Sequence, residues 1–350
     1  GGGVPPPRAR RPMSTLGLAL GGPFDTLAQL GAAAEAKGFD AVWVSETGRD
    51  SIVQATVLAQ ATSRIQIGTN ITVAFPRSPT VTAQQAWDIN EISGDRFVVG
   101  LGSQVRRIVI DRYSAPFDQP AKRMGEYVQA MRTVWNMERG DRTPYRGEIY
   151  RVIRPGINGL GSAHDRAVPR VYVAAVGPLM TRTAATYADG LLGHPFTSVA
   201  YLQRDLLPRI EASLSDAGKS RDDFTLTQSL IVCVADDPHV ARREAKIQVG
   251  FYGTTPNYAP VLAANNEAYL TESLGRVFAD TGGDPDALAA AVPDDVVDRY
   301  AVAGTPEQVR DRVDEYRAIV DHLIVGGAWY RVPASRMAEN LAGIMETFGR

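Results

Sequence analysis

Few side chains in this sequence are suited to moving protons. Of its four histidines, His194 directly follows the short apolar run Gly190–Gly193 and is flanked by Pro195 and Phe196. An imidazole at a strand end is placed to contact substrate or transfer a proton, and almost equally to serve as a hydrogen-bonded structural group. Glu46 ends the run Ala41-Val-Trp-Val-Ser. Its carboxylate offers a base, an acceptor for a cofactor or a neighbour of the next helix N-cap, and positioning is favoured over acid–base work. His164 falls in a loop, His239 at a helix start and His322 at the opposite end of a strand, so these three read as structural or solvated. No H-x-H or H-E-x-x-H spacing occurs, and no metal site is expected.

A second feature suits binding. The stretch Val168–Gly190 begins with Arg170–Val176, apolar and β-rich on both parities, as in a strand buried on both faces of a parallel sheet. Gly177-Pro178 turns the chain, and Leu179–Tyr187 has helical spacing, with Ala184 and Ala185 small enough for close packing. At such a junction the N–H groups and the positive end of the helix dipole converge, which suits an anionic phosphate. A glycine there admits close approach of a ligand. Any strand-to-helix turn shares these properties, so this one takes its meaning from the rest of the chain.

That context is an alternation of strand-like and helix-like runs. Strands are expected at Leu16–Leu20, Ala41–Ser45, Ile65–Val73, Arg96–Leu101, Arg170–Val176, Gly190–Gly193, Phe224–Val234 and His322–Val325. Between them lie helices at 25–37 with Asp25 as N-cap, 50–63, 80–92, 121–136, 199–217 and 306–319. Gly147–Val152 reads as a short strand or hairpin and Pro155–His164 as a loop. The interval of about 236–302 is too long for one crossover helix and reads as several inserted helices. Eight such units predict an α/β fold, a (β/α)8 TIM barrel, with functional residues at the C-terminal ends of its strands.

Composition sets the outer bounds. With 350 residues, 44% hydrophobic and 22% charged, the chain can bury one large core. Its 37 basic and 39 acidic residues are interspersed, which recommends neither nucleic acid nor a membrane surface as partner. No apolar run is long enough to span a bilayer. The single cysteine, Cys233, lies in an apolar run, reads as a buried inert thiol and fits a reducing cytoplasm. Residues 1–13, rich in Gly, Pro and Arg, read as a disordered tail, leaving 14–350 as one domain.

The order of motifs resembles the bacterial luciferase-like family, in particular its members that use the deazaflavin coenzyme F420. The residues that carry this are Ala41-Val-Trp-Val-Ser-Glu46, Ile67-Gly-Thr-Asn-Ile71, Arg96-Phe-Val-Val-Gly-Leu-Gly-Ser103, the helix Arg123–Trp135, Tyr145–Tyr150, Val173-Ala-Ala-Val-Gly-Pro178 with Ala188-Asp-Gly190, and Ala303-Gly-Thr-Pro306. The resemblance implies a barrel whose insertion before the eighth strand covers the mouth, with a flavin-type ring across the top. It puts Val176, Gly177, Pro178, Met180 and Thr181 on the cofactor phosphate. Asn70 and Ile71 match a place where relatives carry a non-proline cis peptide behind the ring, and Ser103 and Gln104 would lie near the ring or its ribityl tail. Phe251–Tyr258, read as too rich in Gly and Pro to be helical, would lie over the cofactor. Tyr252, Tyr258 and Trp329 then line the substrate pocket or simply pack beneath a lid.

Two positions depart from familiar relatives. Glu46-Thr47 stands where several carry Asp-His, and Val105-Arg106-Arg107 stands where sugar-phosphate-oxidising members place a glutamate. These departures weigh against a sugar-phosphate substrate, and the expected function is hydride transfer between F420 and an unidentified small organic substrate. A reduced-FMN-dependent monooxygenase is the rival on the same fold. A flavin-binding barrel without catalysis is the rival from another class. A glycoside hydrolase is disfavoured because paired carboxylates at the ends of strands four and seven are missing. The resemblance also implies a homodimer through helices two and three, and Ile52, Val53, Ala55, Val57, Leu58 and Ala59 make helix two more apolar than one core-facing stripe requires.

Overall fold

The computed structural model describes residues 14–156 and 166–350. The tail at 1–13, most of the loop at Pro155–His164 and His164 itself lie outside the described residues. Eight parallel strands close into a barrel: β1 (Thr15–Leu20), β2 (Ala41–Val44), β3 (Gln66–Thr69), β4 (Phe97–Gly102), β5 (Arg170–Ala174), β6 (Gly190–Gly193), β7 (Thr225–Val234) and β8 (His322–Gly326). Each strand pairs with the next, and β8 returns to β1, where Leu18 lies between Val325 and Val42. The expected TIM barrel is thus the observed fold.

The helices packed outside are α1 (Phe24–Ala36), α2 (Ser51–Ala61), α3 (Pro79–Ser93), α4 (Pro120–Glu138), α5 (Pro178–Tyr187), α6 (Leu207–Asp216), α7 (Pro238–Gly253), α8 (Pro306–Arg317) and α9 (Ala334–Phe348). Local chemistry fixes several ends. Asp50 accepts the N–H groups of Ile52 and Val53 at 2.8 and 3.1 Å, and Gly94 ends α3 in the left-handed region at φ 68°. Asp25 is not a cap: Pro23 precedes the helix, and Asp25 sits in its first turn, where its charge still favours the dipole.

Other stretches fold differently from their sequence patterns. The expected strand Ile65–Val73 is broken at Asn70-Ile71, and Thr72–Val73 pairs instead with Leu101 and Gly102. Between β6 and α6 the helix contains a π-turn at Leu202–Leu206. Phe251 and Tyr252 are helical, because α7, capped by Asp237, continues to Gly253. A Cβ on Gly253 would lie 2.5 Å from a Leu274 methyl, so that glycine permits two helices to approach rather than breaking one. The insertion continues with helices at Ala259–Ala263, Tyr269–Thr281, Pro285–Ala291 and Asp294–Tyr300. A short strand, Val302–Gly304, then adds to the outer end of β7.

Two apolar clusters result. The larger fills the space between barrel and helices, and includes Cys233, whose thiol is pushed up to about 12 by burial. The smaller lies inside the barrel and comprises Ala41, Trp43, Val98, Tyr172, Leu192 and Ile324. Trp43 is its centre. Its indole N–H donates to His322 Nε2 at 2.9 Å, and His322 Nδ1 lies 2.7 Å from the Thr15 hydroxyl, so the ring hydrogen belongs on Nδ1. Burial lowers the His322 pKa to about 3. The indole fits because Gly17 and Gly68 have no side chains; a Cβ at either would come within 3 Å of Trp43.

Candidate functional site

The C-terminal ends of the strands carry the candidate residues. After β5, Gly177 is the N-cap of α5 with no side-chain cap, and a Cβ added there would meet nothing within 4 Å. The amides of Gly177, Leu179 and Met180 have no acceptor among the described residues, whereas the Thr181 N–H and hydroxyl both donate to the Gly177 carbonyl at 3.0 Å. Thr181 therefore braces the turn from behind. The Val176 carbonyl is held by the Tyr201 hydroxyl at 2.9 Å and by Arg209 Nη1 at 3.2 Å. These bonds turn the carbonyl away and leave a cluster of N–H groups beside open space. Such an arrangement fits a phosphate. Tyr201 and Arg209 were not legible as part of this site, since both are placed by the π-turn.

The opposite rim is built from the ends of β2, β3 and β4. The Asn70-Ile71 peptide is cis, as the resemblance implies. The Asn70 carboxamide crosses the barrel to donate to Ser229 Oγ at 2.8 Å, and Ile71 packs over Gly102, where a Cβ would be 2.3 Å from its Cδ1. Ser103 donates to the Gln104 carbonyl, and Gln104, at φ 58°, accepts the Val105 N–H on its own side-chain oxygen. Glu46 is 8% exposed, and its carboxylate accepts from Val73 N–H, the Ser51 hydroxyl and Arg77 Nη1, with the Tyr113 hydroxyl at 3.4 Å. Arg77 also reaches Asp50 at 2.5 Å. Its pKa is raised, because Glu46 and Asp50 outweigh the lowering by burial. Arg106 and Arg107 stay exposed on the short helix Arg106–Asp111, Arg107 pairing with Asp111.

The third wall is aromatic. His194, after β6, stacks on Tyr258 at 4.1 Å and 21° and meets the edge of Tyr252 at 4.7 Å and 75°. Its Nδ1 accepts the Phe196 N–H at 3.1 Å, which puts the ring hydrogen on Nε2. Burial lowers its pKa to about 3, so the imidazole is neutral at physiological pH. Trp329, after β8, donates its indole N–H to the Tyr252 hydroxyl at 3.2 Å, and Gln248 of α7 accepts the Trp329 and Tyr330 amides. Sequence positions 194, 252, 258 and 329 thus come together. His239 sits in the first turn of α7, away from this wall. Among the described residues no group of three or more His, Cys, Asp or Glu is placed to hold a metal, and no helix is long and apolar enough to cross a membrane.

The site therefore combines an anion cradle, a polar rim and an aromatic wall around one barrel mouth, which suits a ring-bearing phosphorylated ligand. Residues 8–323 match the family model described as luciferase-like monooxygenase. An uncharacterised Mycobacterium tuberculosis protein is 33% identical over 299 residues, 83% of this chain and 87% of that one. The 5,10-methylenetetrahydromethanopterin reductase of Archaeoglobus fulgidus is 31% identical over 303 residues, covering 84% of this chain and 86% of the reductase. The solved coenzyme F420 dependent tetrahydromethanopterin reductase of Methanopyrus kandleri shares the fold, with a TM-score of 0.75, 24% identity and coverage of 95% and 98%. With a match across most of its length and a barrel of the same design, the chain belongs to the luciferase-like monooxygenase family.

Proposed function

We propose that this protein is an F420-dependent oxidoreductase that moves a hydride between the deazaflavin and a small organic substrate. The observation that carries the reading is the Gly177 cradle, where amides without an acceptor among the described residues lie beside the open space at Gly177. Support for F420 in particular comes from the Archaeoglobus relative, which shares its named activity with the F420-dependent Methanopyrus enzyme. Val176, Gly177, Pro178 and Met180 would hold the phosphate, with Thr181 bracing the turn. Asn70, Ile71, Ser103 and Gln104 would border the ring. F420 supplies a two-electron hydride carrier, and the chain supplies a dry, shaped place for it. Glu46 is assigned to positioning: its engaged oxygens fix the ends of β2 and the Thr72–Val73 segment rather than moving protons.

The family description favours a second reading, a monooxygenase using reduced FMN, because the same cradle suits an FMN phosphate. Titration with F420 and FMN separately, followed by cofactor fluorescence, distinguishes them. Tight binding of F420 alone is expected; preference for FMN refutes the proposal in favour of the monooxygenase. We further propose a homodimer, supported by the exposed Val53 of α2 with Val81 and Ile92 of α3. A cytoplasmic location is supported by the lone buried thiol of Cys233.

A further inference from the structure

The Gly177 cradle is held from behind by a run of hydrogen bonds that begins in the insertion. After the helix Ala259–Ala263 the chain turns, with the Glu267 N–H on the Leu262 carbonyl at 2.9 Å and Asn266 in the left-handed region at φ 62°. This turn carries Asn265 and Glu267. The Glu267 carboxylate accepts the Tyr300 hydroxyl at 2.5 Å and Arg299 Nε at 2.7 Å. With its hydrogen on Glu267, the Tyr300 oxygen is left to accept, and Asn265 Nδ2 lies 3.1 Å from it. The same Nδ2 donates to Ser198 Oγ at 2.9 Å. Ser198 is the N-cap that accepts the Tyr201 N–H at 3.1 Å, and the Tyr201 hydroxyl holds the Val176 carbonyl at 2.9 Å. Phe196, two residues before Ser198, stacks on Tyr300 with ring centroids 4.8 Å apart at 25°. Glu267, Tyr300, Ser198 and Tyr201 are each at most 4% exposed, so the run is shielded from water.

A carbonyl oxygen turned toward an anion repels it, so the cradle suits a phosphate best while the Val176 oxygen is held to the rear. Tyr201 reaches that oxygen from a turn whose start is fixed by Ser198, and Ser198 is fixed in its turn by Asn265. We infer that Asn265 is a positioning residue for the cradle. By holding Ser198 it sets the turn from which Tyr201 keeps the Val176 carbonyl averted, so seating of the insertion and binding of a phosphate-bearing cofactor favour one another. The inference rests on the F420 reading. Linkage makes the effect reciprocal: whatever factor the seated insertion adds to cofactor affinity, the cofactor adds to seating. Arg209 keeps its own bond to the Val176 oxygen at 3.2 Å, so loss of the run weakens the cradle without abolishing it. Because the run ends behind the phosphate and not behind the ring, its influence is confined to ligands that carry a phosphate.

The test is a double-mutant cycle in the full chain, with N265A, Y201F and the two combined. Each protein is titrated with F420 and with the same deazaflavin cut back to its ribityl chain, which lacks the phosphate. Each single change should weaken F420 about 2- to 10-fold, as loss of one hydrogen bond does, and leave affinity for the shortened deazaflavin unmoved. Y201F/N265A should bind F420 about as well as Y201F alone, because the amide acts through the tyrosine. In the wild type, F420 should slow amide hydrogen exchange across 259–300, and in N265A it should slow it less. S198T, which keeps the hydroxyl, should bind F420 like the wild type and S198A like N265A; this pair carries the test if N265A does not fold. Four results overturn the inference while the cofactor reading stands: losses that multiply in the double variant, wild-type F420 affinity in N265A, equal weakening of the shortened deazaflavin, or exchange that F420 does not slow. Failure of the wild type to bind F420 overturns the cofactor reading, and this inference with it.

Discussion

Replacing Gly177 by alanine separates folding from cofactor binding. Gly177 has φ −81° and ψ 163°, extended backbone that alanine adopts without strain, and the new Cβ would meet nothing within 4 Å. The folded protein should tolerate it, and the loss of chain freedom in the unfolded state should stabilise by about 0.4–1 kcal/mol. In a chain of this size that is a rise in Tm of roughly 1–2 °C. The same methyl would enter the space where the phosphate is expected, and a misfit methyl costs about 1–3 kcal/mol, a loss of F420 affinity of roughly 5- to 150-fold. G100A is the contrast. Its Cβ would lie 1.9 Å from the Thr69 carbonyl oxygen and 2.5 Å from Leu192, inside the barrel, so it should lower Tm by several degrees. Thermal unfolding and a fluorescence titration read both quantities. A G177A protein that melts several degrees early refutes the open space, and one that binds F420 as well as the wild type removes the phosphate from this turn.

Other perturbations follow from the same contacts. R77A leaves Glu46 buried with no cation and should destabilise by about 3–5 kcal/mol in urea unfolding; an R77M/E46Q double variant that is no more stable than R77A would argue against the pair. For His322, the folded pKa near 3 lies below an unfolded value near 6.5, so the unfolded chain binds the extra proton between them. Its contribution is complete above about pH 6.5 and falls as pH drops, by up to about 1.4 kcal/mol per unit. The urea midpoint should decline from pH 7 to 5, and H322Q should lessen that slope, His194 supplying the remainder because burial lowers its pKa too; an unchanged slope removes His322 as a source. The paired change V53E/V81E should turn a dimer into a monomer by light scattering, and a wild type already monomeric at micromolar concentration ends the dimer proposal.

The barrel was legible because strands buried on both faces show as short apolar runs ending in Gly, Ser, Glu or His. The turn at Gly177 was legible for the same reason, since glycine and proline punctuate it. What escaped was set by contacts distant along the chain. Asn70 finds Ser229 across the barrel, and the Glu46 carboxylate is committed to Arg77 by folding of the segment after β3. Tyr252 was misread because Gly253 and Pro256 suggest a loop, whereas Gly253 serves the approach of α7 to Leu274. Thr181 spends its amide and its hydroxyl on the Gly177 carbonyl, a bond that the spacing of residues does not announce.

The Trp43–His322 plug has a consequence for traffic. With the indole, Tyr172 and the imidazole filling the barrel's lower interior, it is a cup with one opening. Whatever reaches Asn70 and Ser229 enters by the open end and departs by the same door. Two ligands seated one above the other must then load and unload like plates in a stack: the deeper one first in and last out.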